Sequence, residues 1–183
     1  MVYIFLAEGF EEVEALTVID YLRRAGVDIK SVSINDSCDV QGAHGVTVKS
    51  DIVLKDADFD ACEMIVLPGG LPGTTYLGQC AELVAQIKNF AASGKKTAAI
   101  CAAPTVFGKA GILVGKKATC YPSLEDDLTG ADKVTDKVVT DGNVTTSRGP
   151  STAVYFALEL IRILKGEETK NVIKSDILLD EQI

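Results

Sequence analysis

Histidine occurs once in the 183 residues, at His44, and that scarcity excludes more chemistry than any other shortage in the chain. Zinc sites draw on histidine and cysteine together. The five cysteines include no C-x-x-C pair, so neither a metal nor another cofactor is expected. A Cys-His-Glu hydrolase that places its histidine late in the chain is excluded too, because nothing after His44 can serve. In the polar stretch around it, an exposed neutral imidazole is the expectation for His44. Basic residues are outnumbered: 18 Lys and Arg against 26 Asp and Glu give a net charge of -8, which argues against the basic face that nucleic acid requires. No apolar run approaches the roughly 18–20 residues of a membrane span. The first run, Val2–Leu6, lacks the basic flank of a secretory signal. The cysteines, odd in number and widely spaced, fit reduced thiols. These shortages together point to a cytoplasmic protein that binds neither membrane nor nucleic acid.

What is present reads as one α/β domain spanning residues 1–183. Residues 2–6 form an apolar, β-rich run buried on both faces. A helix follows over 11–25, with Ala15, Val18, Leu22 and Ala25 on one stripe and Gly26 as its stop. A second strand over 27–34 completes a βαβ unit. Residues 35–60 turn polar, with β-like pieces at 46–49 and 52–54 read as a hairpin excursion. Strands at 63–67, 97–100 and 117–121 and helices at 81–92 and 105–109 come next. A hairpin then flanks Asp141-Gly142, with strands at 137–140 and 143–146. Gly149-Pro150 opens a long helix, and a last helix over 168–174 precedes an acidic tail. Strands alternating with helices predict a flavodoxin-like, doubly wound, mostly parallel sheet with helices on both faces.

In such sheets function collects at the carboxyl ends of the strands. Four segments should converge there: Ala7-Glu8-Gly9, Pro68-Gly69-Gly70, Cys101 and Ser147-Arg148-Gly149-Pro150. Cys101 sits where a strand breaks into a Pro-led helix, so the turn presents it outward as a nucleophile elbow does. The helix would aim its N–H groups and positive end at the sulfur, favouring thiolate. The plain alternative is a buried strand-end filler. Glu11, Glu12 and Glu14 open the first helix. They suit its dipole, but their helical directions differ, and Glu14 directed over the sheet edge would approach the cysteine as a carboxyl of raised pKa. Gly69 and Gly70 would let backbone amides, with that of Ala102, reach a ligand oxygen. The glycines at 69, 70 and 73 and at 111 and 115 do not make nucleotide fingerprints.

Five motifs occur in a characteristic order: residues 7–14 (AEGFEEVE), 23–26 (RRAG), 66–70 (VLPGG), 99–104 (AICAAP) and 146–150 (TSRGP). On these the chain resembles the ThiJ/PfpI superfamily, and within it the DJ-one branch. The resemblance implies a homodimer. It also implies that Cys101 is the nucleophilic, oxidation-sensitive cysteine, that Glu14 hydrogen-bonds it, and that the amides of Gly69, Gly70 and Ala102 line the site. Glu11 and Arg24 match positions at the dimer side of the pocket, with Arg24 reaching across from the partner. Tyr121 stands where related members place a histidine, as a possible helper of low basicity at neutral pH. His44 replaces an arginine. Ala102 replaces the histidine of the protease-like branch, which argues against a peptidase.

The leading expectation is a cofactor-independent, cysteine-dependent enzyme of glyoxalase or deglycase type. Its substrate would be a small carbonyl, a 2-oxoaldehyde converted to a hydroxy acid. The alternative is a redox-sensing or chaperone-like protein acting through oxidation of Cys101. A non-catalytic binding domain is a third reading.

Overall fold

The computed structural model describes residues 1–179. The chain runs β1 (Val2–Leu6), α1 (Glu12–Arg24), β2 (Ile29–Ser33), β3 (Asp39–Gln41), β4 (Thr47–Lys49), β5 (Ile52–Val53), β6 (Met64–Leu67), α2 (Gly73–Gln79), α3 (Ala81–Ser93), β7 (Lys96–Ile100), α4 (Pro104–Ala110), β8 (Lys117–Ala118), β9 (Asp132–Lys133), β10 (Val138–Asp141), β11 (Val144–Ser147), α5 (Ala153–Lys165) and α6 (Glu167–Asp176). Seven strands form one sheet in the order β10–β11–β7–β6–β1–β2–β5. Only the β10–β11 pair in it is antiparallel.

The period of two in β1 sorts its side chains between two cores. Val2, Ile4 and Leu6 face α1, α5 and α6, where Val18, Leu22, Phe156, Leu160 and Ile173 meet them. Tyr3 and Phe5 face α2, α3 and α4 and pack with Leu77, Leu83, Ile87 and Phe107. Each fully buried large apolar side chain contributes about 1.5–3 kcal/mol, so a sheet whose central strand is buried along its whole length holds both helical layers. The chain winds outward from β1 to β2 on one side and to β6 on the other. That reversal leaves a crevice at the carboxyl ends of β1 and β6.

The doubly wound, mostly parallel sheet agrees with expectation, and several local readings are corrected. The hairpin of the 35–60 region joins β3 to β4, whereas Ile52–Val53 is the outermost parallel strand, paired with β2. A two-residue strand carries no readable period. α2 was not expected, because Gly73, Thr74, Thr75 and Gly78 are weak helix formers. The strand expected over 117–121 is only Lys117–Ala118, and it pairs with β9 outside the main sheet. Pro150 opens a short 3-10 turn, and α5 proper begins at Ala153. The acidic tail extends to residues 180–183, outside the described residues. Among the described residues no helix is long and apolar enough to cross a membrane.

Candidate active site

Cys101 follows β7 directly and adopts φ +64, a left-handed conformation that costs an L-residue roughly 1–2 kcal/mol. Two backbone bonds hold it there. Its N–H donates to Ser147 O at 3.0 Å, and its carbonyl accepts from Tyr121 N at 2.8 Å. The 147–150 segment is itself braced: Ser147 Oγ donates to Lys137 O at 2.7 Å, and Gly149 N donates to Thr152 Oγ1 at 3.0 Å. This is the sharp strand-to-helix junction that the sequence suggests, with the thiol half-buried at its apex.

Glu14 comes from the first turn of α1 and is fully buried. Its Oε2 accepts the Gly69 N–H at 2.7 Å, while Oε1 is buried with no partner. Burial raises this carboxyl to a pKa of about 7, against the hydrogen bonds from Gly69 and Cys101 that favour the charged form. The neighbouring thiol is pushed up to about 12, first by burial and then by the Glu14 charge, with the amides of Ala102 and Gly70 pulling the other way. The expectation that the helix terminus would favour thiolate is therefore corrected. α4 begins only at Pro104, and burial beside a carboxylate outweighs the amides. Between these two values the pair carries one negative charge, held on Glu14, and moving the thiol proton to Glu14 places that charge on sulfur.

The two glycines have different causes. Gly70 adopts φ +90, which glycine accepts without penalty. Gly69 is a matter of space: a Cβ there would lie 2.5 Å from Cys101 Cβ and 2.7 Å from Glu14 Oε2. Its N–H is also committed to Glu14, so Gly69 positions the carboxyl and is not a free donor to a ligand oxygen. The amides of Gly70 and Ala102 remain for that.

Around the thiol lies a pocket of about 280 Å³, walled by Glu11, Gly70, Leu71, Ala102, Tyr121, Leu124 and Pro150. The apolar walls Leu71 and Leu124 lie in turns with no periodic pattern, and nothing in the sequence marks them. Arg24 is exposed at the far end of α1, where its Nε donates to Asp20 Oδ2 at 2.9 Å. Over twelve residues that end is about 18 Å from the Glu12 end. Within one chain Arg24 is not part of the pocket.

His44 is exposed, as expected, but it is not a plain neutral imidazole. Its Nδ1 lies 2.9 Å from Glu12 Oε2 and 3.6 Å from Glu11 Oε2, and the Glu12 hydrogen bond, with both charges, raises its pKa. Burial works to raise Glu12, but the hydrogen bonds from the His44 ring and from the amides of His44 and Val46 hold it below its ordinary value. Glu12 thus anchors the β3–β4 turn beside the pocket, a role that first-turn acidity alone does not signal.

A DJ-1/PfpI family model matches residues 1–163. The chain is 41% identical over 169 residues to protein DJ-1 homolog B of Arabidopsis thaliana, covering 91% of this chain and 39% of that protein. It thus spans less than half the length of that relative. It is 34% identical over 174 residues to the glutathione-independent glyoxalase DJR-1.2 of Caenorhabditis elegans, covering 94% of this chain and 92% of that one. It is also 34% identical over 167 residues to a deglycase of Pyrococcus abyssi, covering 90% and 99%. The solved structure of oxidized DJ-1 from Toxoplasma gondii superposes with a TM-score of 0.93 at 36% identity, covering 97% of each chain. With its fold, its ordered motifs and these matches in agreement, the chain belongs to the DJ-1/PfpI family.

Proposed function

We propose that the protein is a cofactor-independent glyoxalase or deglycase in which Cys101 is the nucleophile and Glu14 the proton carrier. The observation that carries this reading is the buried Glu14 carboxyl, held by the Gly69 N–H beside the Cys101 thiol, with a pKa of about 7 and one oxygen unpartnered. A general acid–base works best when its pKa lies near the operating pH. The named activities of the worm and archaeal relatives support the same chemistry.

In this mechanism the Cys101 thiol passes its proton to Glu14 as sulfur attacks the aldehyde carbon of a 2-oxoaldehyde. The C–S bond forms, the carbonyl π pair moves to oxygen beside the Gly70 and Ala102 amides, and protonation gives a hemithioacetal. Glu14 then takes the C1 proton and returns it to C2 through an enediol, so C1 is oxidised and C2 reduced within one molecule. The product is a thioester of a 2-hydroxy acid. Water cleaves it, releasing the acid and restoring the thiol, so the net change is addition of one water. Tyr121, at the pocket wall, is a candidate hydrogen-bond donor to the substrate.

The active form on this reading is a homodimer. Val13 and Leu16 on α1 and Val46 on the adjoining turn are exposed apolar residues near the pocket, and a second copy over them would bring its own Arg24 towards Glu11. The five free thiols suit a reducing compartment such as the cytoplasm.

The test is conversion of methylglyoxal to lactate by the wild type and Cys101→Ser. Loss of at least a hundredfold in the variant is expected, and equal turnover overturns the proposal. A second reading, oxidation of Cys101 by peroxide to sulfenic and then sulfinic acid, draws on the protonated form of the same Glu14 and on the amides, which can hydrogen-bond the added oxygens. Peptide mass analysis after mild peroxide decides it: oxidation at Cys101 ahead of the other cysteines supports it, and oxidation elsewhere first refutes it.

A further inference from the structure

Behind the thiol pocket lies a second and larger cavity, about 370 Å³, between α2 and α4. The two share three wall residues, Leu71, Ala102 and Leu124, so this cavity adjoins the one that holds Cys101. Its interior is mostly apolar, with Val84, Val106 and Ala110 in the wall, and Lys109 and Asp127 pair at 3.4 Å on its rim.

Two features show that the space is kept open. Gly78 lies within α2, its backbone is outside the left-handed region that favours glycine, and a Cβ there would meet only Val106 Cγ2, at an ordinary 3.4 Å. Neither conformation nor close packing calls for glycine, which weakens a helix; its effect is to leave the cavity wide. Thr74 in the same wall is buried, and its hydroxyl has no hydrogen-bond partner. A buried orphan hydroxyl is costly unless a ligand or a water satisfies it, and the two rotamers threonine uses in helices let it turn.

Resting on the carbonyl chemistry proposed above, we infer that this cavity is the subsite for the substituent of the substrate. The substrate class is then 2-oxoaldehydes, with members bearing an aryl or branched-alkyl group favoured over methylglyoxal. An apolar pocket discriminates roughly 10–200-fold per methylene filled, so a ring that enters should bring at least a tenfold gain over a methyl group.

The experiment reads occupancy without requiring turnover. Mandelamide and lactamide are neutral analogues of the aryl and methyl products, and each is used to protect Cys101 from iodoacetamide, followed by peptide mass analysis. Mandelamide should halve the labelling rate at a concentration at least tenfold below lactamide. Gly78→Leu, which fills the cavity, should close that gap and leave lactamide protection unchanged. Thr74→Leu, one helical turn earlier on the same wall, fills it while removing the orphan hydroxyl, and should do the same should Gly78→Leu fail to fold. Equal protection by the two amides in the wild type, or an undiminished gap in a folded filled variant, overturns the subsite. Turnover of phenylglyoxal and methylglyoxal is measured in parallel. No turnover of either, with the protection gap intact, removes the enzyme reading and leaves the subsite standing. Lactate formation with no aryl preference in protection does the reverse.

Discussion

Replacing Glu14 with glutamine removes a charge from beside a buried thiol while keeping the side chain's size and a hydrogen-bonding group. In the wild type the Glu14 carboxylate is the second cause, after burial, of the raised Cys101 pKa, so its loss must increase the thiolate fraction at a fixed alkaline pH. Two unit charges about 4 Å apart interact by about 4 kcal/mol at an effective dielectric of 20, roughly three decades in thiolate population. Cys101 is half-buried, and solvent screening takes part of this, leaving an expected increase of about ten- to a hundredfold. The assay is the rate of iodoacetamide labelling of the Cys101 peptide against pH. The wild type should show an inflection near pH 7, as the pair loses its first proton, and a second rise at high pH. Glu14→Gln should show one rise, at a pH between the two. An unchanged profile, or lower reactivity in the variant at pH 9, would refute the shared-charge account.

Glu14 also links stability to pH. Its folded pKa of about 7 lies above the ordinary 4.5, so the folded state binds the extra proton. Its contribution is complete below pH 4.5 and is lost as pH rises through 7. The stability of Glu14→Gln relative to wild type, measured by denaturant melts, should therefore improve by about 3 kcal/mol between pH 4 and pH 8; a pH-independent difference contradicts the burial. Gly69→Ala drives a methyl group into Cys101 and Glu14, and should cost about 1–3 kcal/mol with loss of most turnover. Wild-type stability and activity would show that the close approach of Gly69 does not matter. Leu16→Glu, on the exposed face of α1, should convert a dimer to a monomer by light scattering; a dimer in both proteins places the interface elsewhere.

Residues whose neighbours in sequence are also their neighbours in space were legible in advance. The alternation in β1, the stripe of α1 and the strand-to-helix break at Cys101 all follow from local pattern. Glu14 could be brought to Cys101 on paper because both lie at the carboxyl edge of a parallel sheet. Its uncoupling from the other first-turn acids needed only helical angles. What escaped were quantities set by three-dimensional surroundings. The helix terminus suggested a lowered thiol pKa, whereas burial beside Glu14 raises it. Gly69 looked like an amide donor to substrate, but the packing of α1 commits it to Glu14. His44 gains its raised pKa from Glu12, 32 positions away. The second cavity is walled by α2, a helix that its threonines and glycines concealed. Arg24, expected at the pocket from a partner subunit, stays in the single chain at the far end of α1, paired with Asp20.

The central claim is that Cys101 bonds to the carbonyl substrate during turnover. Its most direct test is mass analysis of the Cys101 peptide from protein quenched while converting methylglyoxal. The account predicts a methylglyoxal-derived adduct on Cys101 that is absent in Cys101→Ser and accumulates in Glu14→Gln, where proton transfer out of the hemithioacetal is blocked. Lactate formation at wild-type rates with no adduct on Cys101, or with full activity in Cys101→Ser, would contradict it.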